Sequence, residues 1–337
     1  MKPGKLPPHL LASLLAQVPP GERVIVGPRY GADAAVLEVR PDRLLVAKCD
    51  PITFATEVIG WYAVAVNGND LAVSGARPLW FLATVLLPPG AGEQQAREIF
   101  AQLLAACADQ GIALVGGHTE ITLGLDRPVV VGCMLGEVEP GRVVTSAGAR
   151  PGDALLLTKG IAVEGTALLA REAAEALARA GVSRPAVQRA AELLFAPGIS
   201  VAREAQALCQ QVSVHAMHDP TEGGLATGLA ELAAASGVGL RVERCRVPVL
   251  PETQEVCQAL GLDPWGLIAS GSVLAAVAPQ EADHALAALH ALGIAAEVIG
   301  AVTAPEAGLV LVEPDGGERP LPSFERDEVA RFLEGAP

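Results

Sequence analysis

The apolar residues of this chain come in short runs. The longest, 79–87, ends at Pro88-Pro89. None approaches the ~18 uninterrupted apolar residues that a membrane-spanning helix requires. With 51% apolar and 18% charged residues, the chain is suited to packed cores rather than disorder. Its 337 residues are enough for two domains, at about 100–200 residues each. The first 15 residues carry Lys2 and Lys5 but no small-residue cleavage site after their apolar part. The expectation is therefore a cytoplasmic protein without a signal peptide.

Strand and helix periods alternate along the chain. A helix is expected over 8–17, stopped by Pro19-Pro20-Gly21. Strands over 34–39 and 44–47 flank Pro41-Asp42, which reads as a hairpin turn. A helix of small and apolar residues over 61–74 stops at Gly75-Ala76-Arg77-Pro78. The run 79–87 is a buried strand. A helix over 93–110 puts Ala96, Ile99, Phe100, Leu103 and Leu104 on one face, with Gly111 as its stop. A short strand over 112–115 enters Gly116-Gly117, and another strand covers 128–138. After the turn Arg150-Pro151-Gly152-Asp153 a strand restarts at 154–158, so the domain boundary is placed there, giving domains 1–150 and 151–337. The second domain combines Ala-rich helices (164–180, 186–194, 200–211, 224–236, 279–292) with strands over 212–217, 240–242, 273–277 and 297–302. Residues 315–337 are polar and are expected to wrap the surface. The fold class is α/β (α+β).

Twenty-four Lys and Arg against 38 Asp and Glu leave a net charge of −14, which disfavours nucleic acid and anionic membranes as partners. Six scattered cysteines, with no C-x-x-C pair, support neither a zinc ribbon nor a thioredoxin-type motif. They are expected to be reduced and mostly buried. The P-loop, the dinucleotide fingerprint, the zincin motif and the nucleophile elbow are all missing.

What remains is a set of acidic residues in Gly- or Asn-rich punctuation. Asp33 lies just before a strand, Asp50 just after one, Asp70 in the small-residue helix at 67–70, and Asp219 in 218–224 before a helix. Such carboxylates, if they converge, form an oxygen-rich site suited to Mg²⁺, and Mg²⁺ can hold a polyphosphate against an acidic protein. The pairs Gly116-Gly117 and Gly223-Gly224 would let the backbone approach a phosphate closely. Each feature also has a plain structural reading. An Asp in such a turn is a turn former or a helix cap, as Asp219 would be after Pro220. Asn67 and Asn69 fit satisfied polar groups in a packed helix. Lys48 is either a phosphate contact or a partner for one acid. His215 and His218 are either metal ligands or a metal-free pair at a strand end. Spacing alone does not bring four carboxylates together.

Taken in order, several segments resemble the PurM-like superfamily of aminoimidazole ribonucleotide synthetase, and within it the HypE-like, AIR synthase-related branch connected with hydrogenase maturation. They are GADAAVL at 31–37, CDPI at 49–52, GWYAVAVNGNDLAVSGARP at 60–78, LVGGHTE at 114–120, GARPGDALLLTKG at 148–160, HDPTEGGLATGLAELAAASGVGL at 218–240 and GLDPWGLIASGSVLAAV at 261–277. The N-x-N-D-L-A-x-S-G-A-x-P and D-P-T-x-G-G-L segments are the most specific. The resemblance implies an N-terminal α/β domain whose strands build a barrel shared across a homodimer, and a C-terminal α+β domain, with ATP in the cleft between them. It implies that Asp33, Asp50 and Asp70 bind Mg²⁺, with Asp70 central to catalysis. Asp219 and Thr221, followed by Gly223 and Gly224, match the second-domain segment that meets the metal–phosphate group. Gly116 and Gly117 match the loop beside the nucleotide, and Asn67 belongs to the motif that carries Asp70.

The chemistry so implied is attack of an oxygen on the γ-phosphate of ATP, activating a carbonyl or amide-type oxygen on a small-molecule or protein-borne substrate. The alternatives are a nucleotide-binding maturation or scaffold protein without turnover, and a small-molecule kinase like thiamine-monophosphate kinase. Two departures matter. Many relatives carry Asp or Glu after the Gly-Gly pair, where this chain has His118, with Glu120 two residues on. Neutral imidazole is a poor Mg²⁺ ligand, so His118 is read as an acid–base group or as structural. The branch also carries its own substrate on a tail ending in Cys, whereas the last cysteine here is Cys257, so either a separate substrate or loss of the tail chemistry is expected.

Overall fold

The computed structural model describes residues 4–28 and 34–335, so Asp33 lies outside the described residues. The chain divides into two compact units, Met1–Leu71 with Ala76–Gly141, and Ala72–Gly75 with Arg142–Pro337. Among the described residues, no helix is long and apolar enough to cross a membrane. The mixture of helices and sheets in two units agrees with the expected fold class.

The first unit contains β1 (Gly4–Lys5), α1 (Pro8–Leu15), β2 (Val24–Val26), β3 (Val36–Leu37), β4 (Leu44–Ile52), α2 (Ile59–Val73, which runs on into the second unit), β5 (Arg77–Leu87), α3 (Glu93–Gln110), β6 (Ala113–Ile121) and β7 (Val129–Val138). Five of the strands form a sheet in the order β1-β6-β5-β7-β4. β5 and β6 are parallel, and β7 runs antiparallel to both β5 and β4. α3 buries Ala96, Ile99, Phe100, Leu103, Ala106 and Cys107 at helical spacing and ends at Gly111 in the left-handed conformation. The small residues of α2 permit close contact on two sides. A Cβ at Gly60 would strike the α3 backbone, and at the facing positions Gly132 and Gly136 of β7 a Cβ would strike Asn67 and Leu71 of α2.

Two expectations for this unit are corrected. The turn at Pro41-Asp42 does not join a hairpin: β3 pairs with β2, and β4 runs on to Ile52 paired with β7. The long apolar β7 offers β4 nine partners, which outweighs the local turn signal. The strand entering Gly116-Gly117 does not stop there. β6 continues through both glycines to Ile121, pairing with β5 on either side of a bulge at Val115, so the pair lies in a strand interior. Gly117 has φ +141°, and a Cβ there would overlap the Ala83 backbone.

The second unit is built on β8 (Ala154–Thr158), β9 (Val214–His218), β10 (Gly239–Glu243), β11 (Leu274–Val277), β12 (Ala296–Thr303), β13 (Leu309–Val312) and β14 (Glu318–Pro320), ordered β14-β13-β10-β12-β8-β11-β9 in one sheet. Its helices are α4 (Val163–Glu172), α5 (Ala174–Arg179), α6 (Arg184–Glu192), α7 (Ala202–Gln211), α8 (Gly224–Ser236), α9 (Pro251–Leu260), α10 (Ala282–Ala291) and α11 (Glu328–Gly335). β8 and β11 are buried at every position. Leu155 and Leu157 of β8 join Leu225, Leu229 and Leu232 of α8 in one core, while Ala154 and Leu156 join Leu208 of α7 and Leu289 of α10 in another. The sheet is thus covered on both faces, which explains its near-continuous apolar strands. The helix expected over 164–180 breaks into α4 and α5 at Ala173, and α9 forms where the sequence patterning marks no helix. The polar C-terminal segment does more than wrap the surface: Asp327, Glu328 and Val329 are buried. Nor are the cysteines mostly buried: Cys107 and Cys257 are, Cys133 and Cys209 are half-buried, and Cys49 and Cys245 are exposed, all of them free thiols.

The Gly117 geometry makes a prediction. Gly117→Ala should lower stability by about 2–4 kcal/mol, because both the positive φ and the contact with Ala83 oppose the new Cβ. The urea midpoint of the variant against the parent checks this; equal midpoints would contradict the close approach of β6 to β5 at Gly117.

Candidate functional site

Side chains alternate across a strand, so Lys48 and Asp50 of β4 share one face. Asp50 lies opposite Gly132 of β7, and α2 covers that face at Gly132. The helix contributes Asn67 and, one turn later, Asp70. The Asn67 side chain embraces the Asp50 peptide: Oδ1 accepts from the Asp50 N–H at 2.8 Å, and Nδ2 donates to the Asp50 carbonyl at 3.3 Å and to Ala63 within its own helix at 2.9 Å. Asn67 and Asn69 are both fully buried. With the backbone so held, Lys48 Nζ lies 3.0 Å from Asp50 Oδ2 and 3.5 Å from Asp70 Oδ1.

The electrostatics of this trio are unequal. Burial pushes the Asp70 carboxyl up to about 6; Lys48 pulls it down, and the charge and hydrogen bond of Asp50 raise it further. Burial also opposes the Lys48 charge, but the hydrogen bond to Asp50 and the charges of Asp70 and Asp50 outweigh it, and the ammonium ends above its ordinary value. Two carboxylates drawn to one cation in a half-buried setting form a hard-oxygen donor set. Among the described residues, no three His, Cys, Asp or Glu side chains are grouped to hold a metal. Mg²⁺ needs no such cage, since it is commonly held by one or two carboxylates together with substrate phosphates and water. Asp50 and Asp70 fit that role. Of the four expected metal carboxylates, the structure brings these two together; Asp219 belongs to the second unit.

His118 is not part of this group. It pairs in register with Thr84, one residue on from the Gly117–Ala83 pair, and so lies on the opposite face of the sheet from Asp50. Its Nε2 is 3.1 Å from Glu120 Oε2, and Thr122 Oγ1 donates to Glu120 Oε1 at 2.9 Å. These two hydrogen bonds, His118 first, hold the Glu120 carboxyl below its usual range. Gly116 and Gly117 run alongside β5 within the sheet.

In the second unit Asp219 is buried at the end of β9. The loop after it is fastened from three sides. The Thr221 carbonyl accepts from the Gly224 and Ala269 N–H groups at 3.0 and 3.2 Å. The Gly223 N–H donates to Asp327 Oδ2 at 2.7 Å. Gly223 and Gly224 both have positive φ, and a Cβ on Gly224 would strike the Trp265 carbonyl. Here glycine is needed for close backbone packing ahead of α8. His215 and His218 do not share a ligand: His215 Nδ1 faces the Asp153 carboxylate at 2.9 Å, and His218 Nε2 faces Glu231 at 2.9 Å.

Two acids beside this loop carry no signal in the sequence. Glu164, at the start of α4, is 5% exposed and accepts from the Ser270 N–H at 3.2 Å. Burial pushes it from 4.5 up to about 7 against the Ser270 hydrogen bonds, and Asp327 and Glu222 raise it further. Burial likewise raises Asp327, against backbone hydrogen bonds from Gly223, Val329 and Ile268. Neither lies in a motif, and each reaches the loop only through tertiary structure.

The comparisons with known proteins agree with this geometry. The model of the AIR synthase related protein N-terminal domain matches residues 31–138, and that of the C-terminal domain matches residues 150–312. The chain is 30% identical over 264 residues to a putative hydrogenase expression/formation protein of Methanocaldococcus jannaschii, covering 77% of this chain and 75% of that one. It is 32% identical over 284 residues to the carbamoyl dehydratase HypE of Cupriavidus necator, covering 81% and 77%. A solved structure of the hydrogenase maturation protein HypE in complex with ATP aligns with a TM-score of 0.75 at 27% identity, over 89% of this chain and 90% of that one.

The raised acids set a pH dependence. Asp70 and Glu164 both titrate higher in the folded state than in the unfolded chain. Between the two values the native state binds more protons, so the stability these groups allow is greatest below about pH 4 and falls as pH rises to about 7. Glu164→Gln removes one contribution while keeping an acceptor for Ser270. Its urea midpoint relative to the parent should therefore improve on going from pH 5 to pH 8. A difference that stays constant with pH would contradict the assignment.

Proposed function

Because this chain belongs to the AIR synthase related family and is HypE-like within it, we propose that it is an ATP-dependent enzyme. It activates a carbonyl or amide-type oxygen, such as that of a carbamoyl group, by phosphorylation. The observation that carries this reading is the convergence of Asp50 and Asp70 on Lys48, in a chain related to carbamoyl dehydratases and alignable with HypE bound to ATP. Asp50 and Asp70 would hold Mg²⁺, which neutralises charge on the phosphates while the γ-phosphoryl group passes to the acceptor oxygen.

The chain's own residues do the rest. Asn67 fixes the Asp50 backbone, so its carboxylate is aimed before any ligand arrives. Lys48, held between the two acids, is the cation that could contact a phosphate oxygen beside them. Asp70, pushed up to about 6 by burial, would hold the cation as its carboxylate, so binding there would favour its ionised form. In the second unit Asp219 and Thr221 are the candidate contacts to metal or phosphate, with Gly223 and Gly224 shaping their loop. His118, whose Nε2 faces the Glu120 carboxylate on the other face of the sheet, stands outside the Lys48–Asp50–Asp70 cluster. The reading includes a homodimer in the cytoplasm. It is supported by the edge position of β4, which exposes Leu44 and Leu45, and by six free thiols.

Calorimetric titration of ATP, with and without Mg²⁺, tests the site. Binding should require Mg²⁺, and Asp50→Asn and Asp70→Asn should each weaken it by about 30-fold or more, as expected for loss of a charged ligand. The reaction is tested with a carbamoylated thiol whose carbonyl carries ¹⁸O. Activation followed by loss of the phosphorylated oxygen delivers the label to inorganic phosphate, with one ADP formed per dehydration. Phosphate retained on the product would indicate the kinase alternative, and binding without ADP formation the scaffold alternative. Mg²⁺-independent or absent ATP binding would overturn the site.

A further inference from the structure

We propose that Asp327 is a positioning residue for the loop 219–224, brought to it by a strap of chain, residues 324–331, docked within the second unit. The proposal rests on the reading of Asp219 and Thr221 as contacts to metal or phosphate. The strap lies beyond residues 150–312, which the AIR synthase related C-terminal model matches. Asp327 is buried, and its two oxygens serve different segments. Oδ2 accepts from the Gly223 N–H at 2.7 Å, and Oδ1 accepts from the Val329 N–H at 2.7 Å. The Ile268 N–H is a further donor to the same carboxylate. One side chain thus joins the loop, the segment leading to β11 and the first turn of α11.

The peptide between Glu222 and Gly223 gives Asp327 its leverage. That peptide is planar, with the Gly223 N–H on one edge and the Glu222 carbonyl on the other. Aiming the N–H at Asp327 therefore fixes the direction of the carbonyl, and rotating the peptide would turn the carbonyl oxygen onto the carboxylate. Thr221 stands one residue upstream, its own carbonyl already held by the Gly224 and Ala269 N–H groups. Asp327 thus sets the course of the loop without touching a ligand. The strap has ties of its own besides this one. The Glu328 N–H donates to the Gly266 carbonyl at 3.1 Å, and the Glu328 carboxylate accepts from the Asp263 N–H at 3.0 Å. Arg331 donates to Glu328 Oε1 and to the Gly261 carbonyl, each at 2.8 Å. The Phe324 ring lies against Gly266, where a Cβ would strike it. These contacts are enough to dock the strap, and burying a carboxylate is costly. The acid at 327 is accounted for by the N–H groups it collects, the one on the loop among them.

The test uses three variants of the full chain. Asp327→Asn keeps the volume but offers a single oxygen to the converging donors, and Asp327→Ala offers none. Arg331→Ala cuts the strap's ties to Glu328 and Gly261 and leaves Asp327 in place. Three quantities are read: hydrogen–deuterium exchange of peptides spanning 219–226, the calorimetric Kd for ATP with Mg²⁺, and the Mg²⁺ concentration giving half-maximal ATP binding. Both Asp327 variants should speed exchange in the loop, weaken Mg·ATP binding about tenfold, as for a lost hydrogen bond to a charged group, and raise the Mg²⁺ requirement. Arg331→Ala should lower the urea midpoint and leave the Kd within about twofold of the parent. Should Asp327→Ala not fold, Asp327→Asn and the Arg331 variant carry the test. Faster exchange with unchanged Kd and Mg²⁺ requirement would overturn the proposal, leaving Asp327 a stabilising contact only. So would unchanged exchange in the Asp327 variants, or an Arg331→Ala variant that binds as weakly as they do. In each of these cases the parent still binds Mg·ATP and the functional reading stands. Failure of the parent to bind Mg·ATP would overturn that reading, and this proposal with it.

Discussion

A single amide sets the geometry of the first unit's site. Asn67 makes both of its hydrogen bonds to Asp50 with backbone groups, one donated and one accepted, much as a neighbouring strand would. β4 is the edge strand of its sheet and has a backbone partner on one side only. Asn67 partly supplies what the missing strand would, and in doing so ties helix α2 to the strand that carries Lys48 and Asp50. The contact needs room, and Gly132 provides it, since any side chain there would occupy the Asn67 amide. Asp70 follows Asn67 by one turn, so the position of the second carboxylate is fixed by the same contact.

That arrangement is costly to the free protein. Asp70 is held partly buried beside another acid, and one lysine does not fully compensate, as its elevation to about 6 shows. The second unit independently gathers Glu164 and Asp327 near the Gly223-Gly224 loop, both raised by burial. Buried acids that destabilise the unliganded state are a recurrent feature of sites that take up charge of opposite sign. The overall acidity of the chain is therefore not the informative quantity. What matters is which few acids the fold holds where they are least favourable.

The sequence shows much of this and omits identifiable parts. Elements with strong periodicity and clean stops are readable: α3 ends at Gly111 and α8 lies between Gly223 and Gly237, both at the expected residues. The grouping of Asp50 and Asp70 follows from a family resemblance rather than spacing, and the contacts with Lys48 give it a physical basis. The partner of β4 is not legible because Pro41-Asp42 is a strong local turn signal, while the pairing with β7 spans some ninety residues and leaves no local mark. Gly116-Gly117 reads as a loop because glycine marks both turns and close approaches within strands. Glu164 and Asp327 are invisible for a related reason: each is an ordinary helix-start acid until tertiary structure buries it beside the loop.

The alternation of β4 and β6 assigns chemistry to opposite faces of one sheet. Lys48 and Asp50 face α2, while Cys49 faces away with Cys133. Gly117 faces Ala83 on the α2 side, while His118 and Glu120 share the other. A shift of β4 by one residue would exchange a cation–carboxylate cluster for a thiol. The register is therefore under two separate constraints. Ile52 must stay buried at the end of β4, and Asn67 must meet a backbone whose opposing residue is glycine. In the observed register Asp50 stands opposite Gly132, and the Asn67 amide reaches it from α2 without meeting a side chain of β7. The site's geometry and the strand's register are thus secured by the same few atoms.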